Sequence, residues 1–487
     1  MPDADWLLGL DYGQTRVKAV LVDPATGQVA GLKAAAPPVR ARDCSIGSET
    51  YRRLSDPEAL VETGFQLIRE LVPPGRGTVA IAVSSAGPPL VAVDKDLRPV
   101  WPVVGHWEGV RPEEMDACLP YDADRFYEEA GSPHWYHPPV FHLAWLREHD
   151  PARAEQVVGV LSIGGYVAAR LSGVMAAEPS TAGASGAFDR RTRTWSPALL
   201  GAGHLNPAWF PELRPAGTGL GENRWLLPGR RVVVASGGHD YLAAALAAGI
   251  TGPAASLNVL GTWEMAAQFV EIGAEGGWGG GEPHEVLHDL HVLPGLGTQS
   301  LEFWSGGQIE WARRVLGLSP SDFLAAAADA PPQAPVGRIY APFLGHQFFP
   351  HQSRDRKASF SGVDARVGPG EMARMVVEGI GYLGARMFEL LETGRSGPPP
   401  ALIMTGGASR GRVMGQLKAD MLNRTVYVHE LSELSAVGAA LLGGVGAGYF
   451  DSLEQAAELF RDRVTAVEAD AKRHEAYRDV FDALAWA

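Results

Sequence analysis

Residues 402–411 read Leu402-Ile-Met-Thr-Gly-Gly-Ala-Ser-Arg-Gly411, an apolar strand that ends in two glycines and leads into a helix-like run. A second helix-like run opens a little further on with Glu433-Leu-Ser-Ala-Val-Gly-Ala-Ala440. These blocks complete an ordered set that begins near the N-terminus with Asp11-Tyr-Gly-Gln-Thr-Arg-Val-Lys18. Strands and helices that alternate along both halves of the chain predict an α/β fold.

The first block of this set is a strand–turn–strand unit. The apolar strand Trp6–Leu10 runs into Asp11, Gly13 and Thr15, and a second apolar run, Val17–Val22, follows. Glycine lets backbone amides approach a phosphate closely, Thr15 can donate a hydrogen bond to it, and Asp11 can hold its magnesium ion. Taken alone, an Asp-x-Gly turn is more often only a hairpin.

The same unit recurs about 250 residues later in the chain. The strand Ala255–Leu260 reaches Gly261-Thr262, and a second strand, Glu264–Val270, leaves it. Two similar units predict a duplicated fold with one phosphate-binding turn from each half. We therefore expect two domains, residues 1–249 and residues 250–487.

Other stretches support this alternation of strands and helices. In the first half we expect a helix at Pro57–Leu71 and a strand at Val79–Val83. Residues 139–171 predict further helix, with Val157–Leu161 among its apolar anchors. In the second half a long helix over residues 371–393 precedes the strand Ala401–Thr405.

The composition of the 487 residues is that of an ordinary globular protein, with 46% hydrophobic and 20% charged residues. The net charge of −14 argues against nucleic acid or an anionic membrane as a partner. Two cysteines are too few for a disulfide framework, and no signal peptide or membrane span is recognisable, so we expect a cytoplasmic protein. The expected partner is a small molecule. The oligomeric state stays open, a homodimer included.

Asp240 is the candidate for a catalytic base. It follows Gly237-Gly238 at the end of the apolar strand Arg231–Ser236, and it precedes the alanine-rich helix Tyr241–Ala248. Backbone amides and a ligand can meet at such a junction. A carboxylate there could take the proton from an attacking hydroxyl as phosphorus is approached. It could equally cap the helix and have no catalytic role.

Gly407, Ser409 and Gly411 match the Gly-x-Ser-x-Gly nucleophile elbow of α/β-hydrolases, on the strand–turn–helix that this motif requires. A catalytic triad would need a later acid and a histidine, for which Asp451 and His474 are the candidates. Only about 80 residues follow Ser409 to build the rest of such a fold. We keep the hydrolase as an alternative.

His284-Glu-Val-Leu-His288 matches the zinc-protease pattern His-Glu-x-x-His. That chemistry requires a helix, so that both imidazoles reach one zinc ion. The surrounding pattern of proline, glycine and apolar residues favours a strand, on which residues four apart are separated by about 13 Å. We therefore do not expect zinc here.

Together these motifs resemble the FGGY family of carbohydrate kinases. Six motifs in the expected order carry the resemblance, over nearly the whole chain: Asp11-Tyr-Gly-Gln-Thr15, Gly238-His-Asp240, Leu260-Gly-Thr262, Gly406-Gly-Ala-Ser409, Ala419-Asp420 and Gly438-Ala-Ala440. The resemblance implies a two-domain actin-like ATPase fold of the ribonuclease H-like class, built from duplicated βββαβα-type domains. It also implies that the active site lies in the cleft between domains, where the γ-phosphate of ATP passes to a primary hydroxyl of a sugar or polyol.

The resemblance also implies roles for single residues. Asp240 would be the general base, and Asp11 would help to hold Mg2+. The nucleotide would be lined by Gly13, Thr15, Gly261 and Thr262 at the phosphates, by Gly306 and Glu310 of the run Ser305–Trp311, and by Gly407 and Gly411 around the adenosine. By position, the candidate sugar-pocket residues are Glu108, His137 and Tyr241.

The departures from the family pattern concentrate where the sugar is recognised. Neither the Met-His of xylulokinases nor the Arg-Glu of glycerol kinases is present near Ala86-Gly87-Pro88, and Gln14 replaces the usual second hydroxyl-bearing residue of the first turn. By contrast, Gly238-His-Asp240, Gly261-Thr-Trp-Glu264 and the run Ser305–Trp311 look more like the deoxyketose kinases, fuculokinase especially.

We therefore expect an ATP- and magnesium-dependent sugar kinase that acts on a ketose (a pentulose or deoxyhexulose) or on a polyol. The alternative within the same fold is an actin-like ATPase without sugar kinase activity, whose nucleotide cycle drives conformational change or partner binding.

Overall fold

The computed structural model describes residues 5–38, 43–52, 54–105, 109–273, 286–344, 357–393 and 398–484. The chain forms two compact units. The first unit contains Met1–Thr251, Glu271–Thr298 and Leu434–Arg461, and the second contains Gly252–Val270, Gln299–Glu433 and Asp462–Ala487. Each compact unit is made of three separate segments of the chain. The predicted domain boundary near residue 250 therefore stays a prediction.

The strands of the described residues, in chain order, are β1 Trp6–Tyr12, β2 Val17–Asp23, β3 Gln28–Ala35, β4 Cys44–Ile46, β5 Glu49–Tyr51, β6 Gly77–Ser85, β7 Leu90–Val93, β8 Gly159–Ser162, β9 Phe188–Asp189, β10 Thr194–Trp195, β11 Gly219–Asn223, β12 Arg230–Ala235, β13 Gly238–His239, β14 Ala255–Leu260, β15 Glu264–Glu271, β16 Leu287–Leu290, β17 Leu296–Phe303, β18 Ile339–Ala341, β19 Ser359–Ser361, β20 Ala401–Thr405, β21 Val426–His429 and β22 Val464–Val467.

The α-helices are α1 Pro57–Leu71, α2 Pro112–Cys118, α3 Ala123–Ala130, α4 Pro139–His149, α5 Pro151–Ala154, α6 Ile163–Ser172, α7 Pro179–Ala184, α8 Pro197–Ala202, α9 Asp240–Ala247, α10 Gly306–Val315, α11 Pro320–Asp329, α12 Pro369–Leu391, α13 Arg412–Leu422, α14 Leu434–Gly446, α15 Leu453–Ala457 and α16 Ala471–Ala483. Short 3-10 helices lie at His134–Tyr136, Pro207–Trp209, Ala334–Val336 and Gly407–Arg410. None of the helices within the described ranges is long and apolar enough to cross a membrane.

The first unit is built on a sheet with the strand order β11-β12-β6-β1-β2-β3, and β13 also pairs with β6. Strand β1 runs parallel to β6 and antiparallel to β2. Its residues Leu7, Leu8 and Leu10 are fully buried, because helices cover the sheet. Helix α14 packs on β1, β6 and α9.

The small residues Gly438-Ala-Ala440 let helix α14 pack closely against helix α9. A Cβ atom on Gly438 would lie 1.9 Å from the carbonyl oxygen of Ala243 in α9. Only glycine therefore permits the close approach of α14 to α9. This contact brings a late segment of the chain back into the first unit.

The second unit contains a sheet whose strands run in the order β17-β15-β14-β20-β21-β22. Strand β14 runs antiparallel to β15 and parallel to β20. This arrangement mirrors β1, β2 and β6 of the first unit, where the hairpin strand β1 also has one antiparallel and one parallel neighbour. The predicted duplication of a strand–turn–strand unit is thus visible in both sheets.

Most predicted elements are confirmed, several to the residue, as with the helix Pro57–Leu71 and the strand Ala401–Thr405. The prediction of helix through residues 139–171 was wrong in its middle. Gly159–Ser162 is a strand that pairs antiparallel with Leu90–Val93. The run Val157–Leu161 is short, apolar and β-branched, and periodicity alone does not separate a buried strand from a buried helix in such a run.

Candidate active site

The register of the first sheet brings three parts of the candidate site side by side. Asp11 of β1 lies opposite Ser84 of the parallel strand β6. Ser84 in turn lies opposite Gly238 of β13. Asp240 follows Gly238 by two residues and begins α9. The acid of the first turn and the candidate base thus lie at the carboxyl ends of β1 and β13, two parallel strands that both pair with β6. The carboxyl ends of parallel strands are where α/β proteins bind their ligands.

Asp11 is buried and has polar partners. Its Oδ1 accepts a hydrogen bond from the Ser84 hydroxyl at 3.2 Å, and its Oδ2 lies 3.9 Å from Nζ of Lys18. The turn that follows is closed by a hydrogen bond from the Gly13 amide to the Arg16 carbonyl, and Thr15 within it is exposed. The exposed turn leaves its hydroxyl and amides accessible to an anion.

Lys18 contacts the candidate site, although the sequence motifs did not predict a role for it. The antiparallel register of β1 and β2 places it opposite Asp11, and its charge also acts on Asp240. The length of the hairpin turn could have indicated that Asp11 and Lys18 face each other, because a four-residue turn between two antiparallel strands places the flanking residues opposite each other. Lys18 therefore forms an ion pair with Asp11, and its charge favours the ionised form of Asp240.

Asp240 is held as an ionised carboxylate. Its Oδ1 accepts hydrogen bonds from Nδ1 of His239 at 2.8 Å and from the Tyr241 amide at 2.7 Å. Burial acts to raise the pKa of Asp240, but the hydrogen bond and charge of His239, the Tyr241 amide and the charge of Lys18 outweigh it and hold the pKa below its ordinary value. The side chain is 27% exposed, so a ligand can reach it.

His239 is the second residue of the candidate site for which the sequence motifs did not predict a role. It is almost fully buried, and its amide donates to Oγ of Ser180. Its charge acts on Glu178 and Asp289 as well as on Asp240. Burial raises the pKa of Glu178 to about 7 and also raises that of Asp289, while His239 opposes both shifts. One imidazole therefore interacts with three carboxyl groups, a grouping that no local sequence pattern reveals.

Tyr241, a predicted sugar-pocket residue, directs its hydroxyl inward. The hydroxyl lies 2.8 Å from Oδ2 of Asp289 and 2.8 Å from Oγ1 of Thr298. Its ring meets the His239 ring edge to face, with centroids 4.7 Å apart. The contacts of Tyr241 thus hold His239 in place, and a direct contact with sugar stays a prediction.

In the second unit, helix α10 begins against the Gly261-Thr262 turn. A Cβ atom on Gly306, the first residue of α10, would lie 2.4 Å from the Gly261 carbonyl oxygen and 3.0 Å from Cα of Thr262. The glycine permits this approach, which brings the free amides of a helix N-terminus next to the turn. Such amides favour an anion.

The Gly406-Gly407 junction lies beside the same turn, because β20 pairs in parallel with β14 and places Thr405 opposite Val259. Gly406 has a φ of 100°, and a Cβ atom there would lie 2.4 Å from the Leu260 carbonyl oxygen. Gly407 is exposed, and a Cβ atom there would meet no described atom within 4 Å. Gly411 precedes α13. The junction thus offers bare backbone and space for a flat ligand.

Comparison with known proteins supplies the family. The models of the N-terminal and C-terminal domains of the FGGY family of carbohydrate kinases match residues 6–247 and 298–447. The chain belongs to the FGGY family of carbohydrate kinases. It is therefore a sugar phosphotransferase with the two-domain fold of these kinases, and ATP is the phosphate donor in this family.

The similar proteins are kinases of several kinds. The autoinducer-2 kinase of Salmonella paratyphi B is 25% identical over 484 residues, which cover 93% of this chain and 88% of that protein. The autoinducer-2 kinase of Escherichia coli K12 is 26% identical over 367 residues, 70% of this chain and 67% of that protein. The crystal structure of a xylulose kinase from Lactobacillus acidophilus has a TM-score of 0.81 at 19% identity and covers 98% of this chain and 96% of its own. That likeness shows the fold.

Three predicted residues of this FGGY kinase have other neighbours or lie outside the described ranges. Glu310 is half-exposed and forms an ion pair with Arg313 at 2.6 Å, so its contact with the nucleotide stays a prediction. Nε2 of His137 lies 2.8 Å from Oδ1 of Asp116. Glu108 is not among the described residues.

The alternative chemistries have little support in this FGGY kinase. The Ser409 hydroxyl is buried and donates to the Gly406 carbonyl at 2.7 Å, a contact that closes the turn. His288 lies on strand β16, as expected, and its Nε2 lies 3.1 Å from the Tyr127 hydroxyl; His284 lies outside the described residues. Membership of a kinase family favours sugar phosphorylation over the ATPase that lacks it.

Proposed function

We propose that this FGGY kinase transfers the γ-phosphate of ATP to a primary hydroxyl of a ketose (a pentulose or deoxyhexulose) or of a polyol, with Asp240 as the general base. The observation that carries the proposal is the placement of Asp240, which begins α9 with a partly exposed side chain whose Oδ1 is held by the His239 ring and the Tyr241 amide. A base must be unprotonated to accept a proton, and the pKa of Asp240, held below its ordinary value, favours that state.

The two oxygens of Asp240 have different tasks in this proposal. Both hydrogen bonds that the described residues make to the carboxylate reach Oδ1. Oδ2 is then the oxygen that takes the proton of the sugar hydroxyl. As that proton leaves, the hydroxyl oxygen bonds to the γ-phosphorus and the bond from phosphorus to the β–γ bridging oxygen breaks, which releases ADP. His239 keeps the carboxylate oriented throughout.

The two glycine-containing turns would bind the phosphates. Thr15 offers its hydroxyl in the first unit and Thr262 offers its hydroxyl in the second, next to the amides that begin α10 at Gly306. The Gly13 and Gly261 amides close the two turns by donating to the Arg16 and Trp263 carbonyls. Gly407 and Gly411 would leave space for the adenosine. Phosphoryl transfer depends mostly on such positioning and on charge neutralisation.

The residues at Asp11 fit a magnesium ion. Carboxylate oxygen is a ligand that Mg2+ prefers, and the Asp11 carboxylate is held at the end of β1 by Ser84 and Lys18. When bound, Mg2+ neutralises charge on the phosphate oxygens. Lys18 adds a second positive charge beside Asp11.

The proposed sugar specificity depends in part on the contact between Gly87 and His239. A Cβ atom on Gly87 would lie 2.4 Å from Nε2 of His239, so the imidazole occupies the space into which a side chain at position 87 would project. This is the region where the xylulokinase and glycerol-kinase motifs are missing. We therefore expect a sugar pocket that lacks those side chains, which argues against xylulose and glycerol as substrates. The resemblance of Gly238-His-Asp240, Gly261-Thr-Trp-Glu264 and the run Ser305–Trp311 to the deoxyketose kinases favours a deoxyhexulose or a related ketose.

The test is ADP release by the purified chain with Mg-ATP and a panel of acceptors. The panel contains L-fuculose, L-rhamnulose, D-xylulose, glycerol and gluconate, and also autoinducer-2, because the curated relatives are autoinducer-2 kinases. Stimulation of about tenfold or more over the rate without acceptor, by a ketose or polyol, supports the proposal. Equal ADP release with and without every acceptor contradicts it.

A variant pair tests the role of Asp240. Asp240→Asn can still accept the Tyr241 amide but cannot take a proton, so we expect kcat to fall about 100-fold or more while ATP binding is retained. Asp56→Asn is the matched control, because Asp56 caps α1 through the Glu58 amide and asparagine caps equally well. An Asp240→Asn enzyme with the kcat of the control would refute the proposed base.

A further inference from the structure

Two histidines and one aspartate of the first unit lie close together. Asp116 lies on helix α2, His134 begins the 3-10 helix His134–Tyr136, and His137 is the C-cap residue that follows it. Their ligand atoms, one carboxylate oxygen and two imidazole nitrogens, all lie within 4.8 Å of one another. Two imidazoles and a carboxylate form a donor set that binds zinc and related divalent metals.

The distances are close to those of a metal site. Nε2 of His137 lies 2.8 Å from Oδ1 of Asp116, and Nε2 of His134 lies 3.8 Å from the same oxygen. With metal–ligand bonds of about 2.0–2.1 Å, the ligands of a tetrahedral zinc ion are about 3.3 Å apart. The two observed distances lie on either side of this value. The Asp116 side chain is 44% exposed, so it can make the small adjustment required.

The orientation of His137 is the one that a metal ligand needs. Its Nδ1 lies 3.0 Å from the Trp135 carbonyl oxygen, which only accepts hydrogen bonds. Nδ1 must therefore carry a hydrogen, and Nε2 is the ring atom that faces Asp116. Ligating histidines commonly donate their second ring nitrogen to a backbone carbonyl in this way. The carbonyl contact also fixes the direction of the ring.

The backbone of His137 supports the same conclusion. It has a φ of 47°, in the left-handed region that residues other than glycine seldom adopt. This conformation turns the chain back after the 3-10 helix, just before Pro138-Pro139, and brings both imidazoles to one side. Strained backbone of this kind is concentrated at functional sites.

The surroundings hold the two rings but leave the ligand atoms accessible. Phe141 meets His134 and His137 edge to face, with ring centroids 5.0 Å and 5.1 Å away, and Phe126 meets His134 at 5.6 Å. The side chains of His134 and His137 are 18% and 13% exposed. The aromatic rings thus restrict the imidazoles, while an ion can still enter from solvent.

We propose that Asp116, His134 and His137 bind one Zn2+ or a similar divalent ion through three protein ligands, with a water or a ligand oxygen in the fourth position. The ion would join α2 to the segment that follows α3. This site shares no residue with the Mg2+ site proposed at Asp11. It also differs in its donors, because imidazole nitrogen suits zinc whereas Mg2+ prefers oxygen.

The test is zinc binding by the full chain after treatment with a chelator, in competition with a chromophoric chelator and without nucleotide. The measurement is made in an Asp11→Asn background, so that binding at the magnesium site does not contribute. We expect one Zn2+ per chain. Asp116→Asn, His134→Gln and His137→Gln should each weaken the affinity about tenfold or more.

The control is His204→Gln. His204 is an exposed histidine of the same unit, and it also has a positive φ, of 48°. It should keep the affinity of the parent. Asp116→Asn is nearly isosteric and changes a partly exposed side chain, so a folded variant is available even where a histidine substitution unfolds the segment. Affinity equal to that of the parent in Asp116→Asn, or an equal loss in His204→Gln, would overturn the proposal.

Discussion

Nδ1 of His239 lies 2.8 Å from Oδ1 of Asp240, so the proposed base receives a hydrogen bond from the residue that precedes it. The contact bridges a strand end and a helix start, since His239 ends β13 and Asp240 begins α9. It is one reason why the pKa of Asp240 lies below its ordinary value even though burial acts to raise it.

Replacing His239 should move the pH profile of the reaction. His239→Asn removes the charge that favours ionised Asp240, so the pKa of Asp240 should rise. A base is active above its pKa, so the acidic limb of kcat/KM should move to higher pH. Rates measured from neutral pH down to the lowest pH at which the enzyme stays folded show the shift. The exposed His204→Asn should leave the limb unchanged; an unchanged limb in His239→Asn would mean that the hydrogen bond does not tune Asp240.

The two adjacent glycines of the 406–407 junction should respond differently to alanine. Gly406→Ala places a Cβ atom 2.4 Å from the Leu260 carbonyl at a φ of 100°, so it should lower the free energy of unfolding by about 1–3 kcal/mol. Gly407→Ala meets no described atom within 4 Å and should change stability by less than about 0.5 kcal/mol. If adenosine packs on this backbone, Gly407→Ala should still raise the KM for ATP. An unchanged KM would remove Gly407 from the nucleotide site.

The buried ion pair of the second unit should be critical for stability. Nζ of Lys418 lies 2.5 Å from Oε1 of Glu264, and both side chains are fully buried. Glu264→Gln leaves the lysine charge without its partner, and we expect a loss of about 3–5 kcal/mol in the free energy of unfolding. The double variant Glu264→Gln/Lys418→Met should recover much of that loss, because no unpaired charge remains. Denaturant unfolding measures both, and a double variant less stable than the single one would contradict this account.

Glu178 should make stability depend on pH in an unusual direction. Its side chain caps α7 through the Ser180 and Thr181 amides, yet burial raises its pKa from 4.5 to about 7. Between these values the native carboxyl keeps its proton while the unfolded one has lost it, so its contribution to stability falls as pH rises from about 4.5 to about 7. Glu178→Gln cannot ionise, so its Tm should fall less than that of the parent over this range. Parallel Tm curves for the two proteins would contradict the assignment.

Local signals account for the parts of the fold that were predicted well. The helix Pro57–Leu71 begins with Asp56 and Pro57, a cap and a first-turn proline that mark a helix start. The strand Gly159–Ser162 was missed because its apolar run has no distinctive period, and its assignment depends on pairing with Leu90–Val93, about 70 residues earlier.

The candidate site was predicted in part for the same reason. Asp11, Thr15 and the glycines of the two turns are visible because turn residues follow strands in a short, recurrent pattern. Lys18, Ser84 and His239 gain their roles from partners across the sheet. Their side chains are ordinary in the sequence, and only strand register shows what they contact.

The sequence by itself determined many of the strands and helices, the two glycine–threonine turns and the acids that follow strand ends, since each depends on residues close together in the chain. Only the tertiary structure decided that Asp11, Ser84 and Gly238 lie side by side in neighbouring strands, and that Asp116 lies close to two histidines. These groupings join segments that are distant in sequence, and their geometry depends on parallel strand register and on packing of the whole core, which local patterns do not encode.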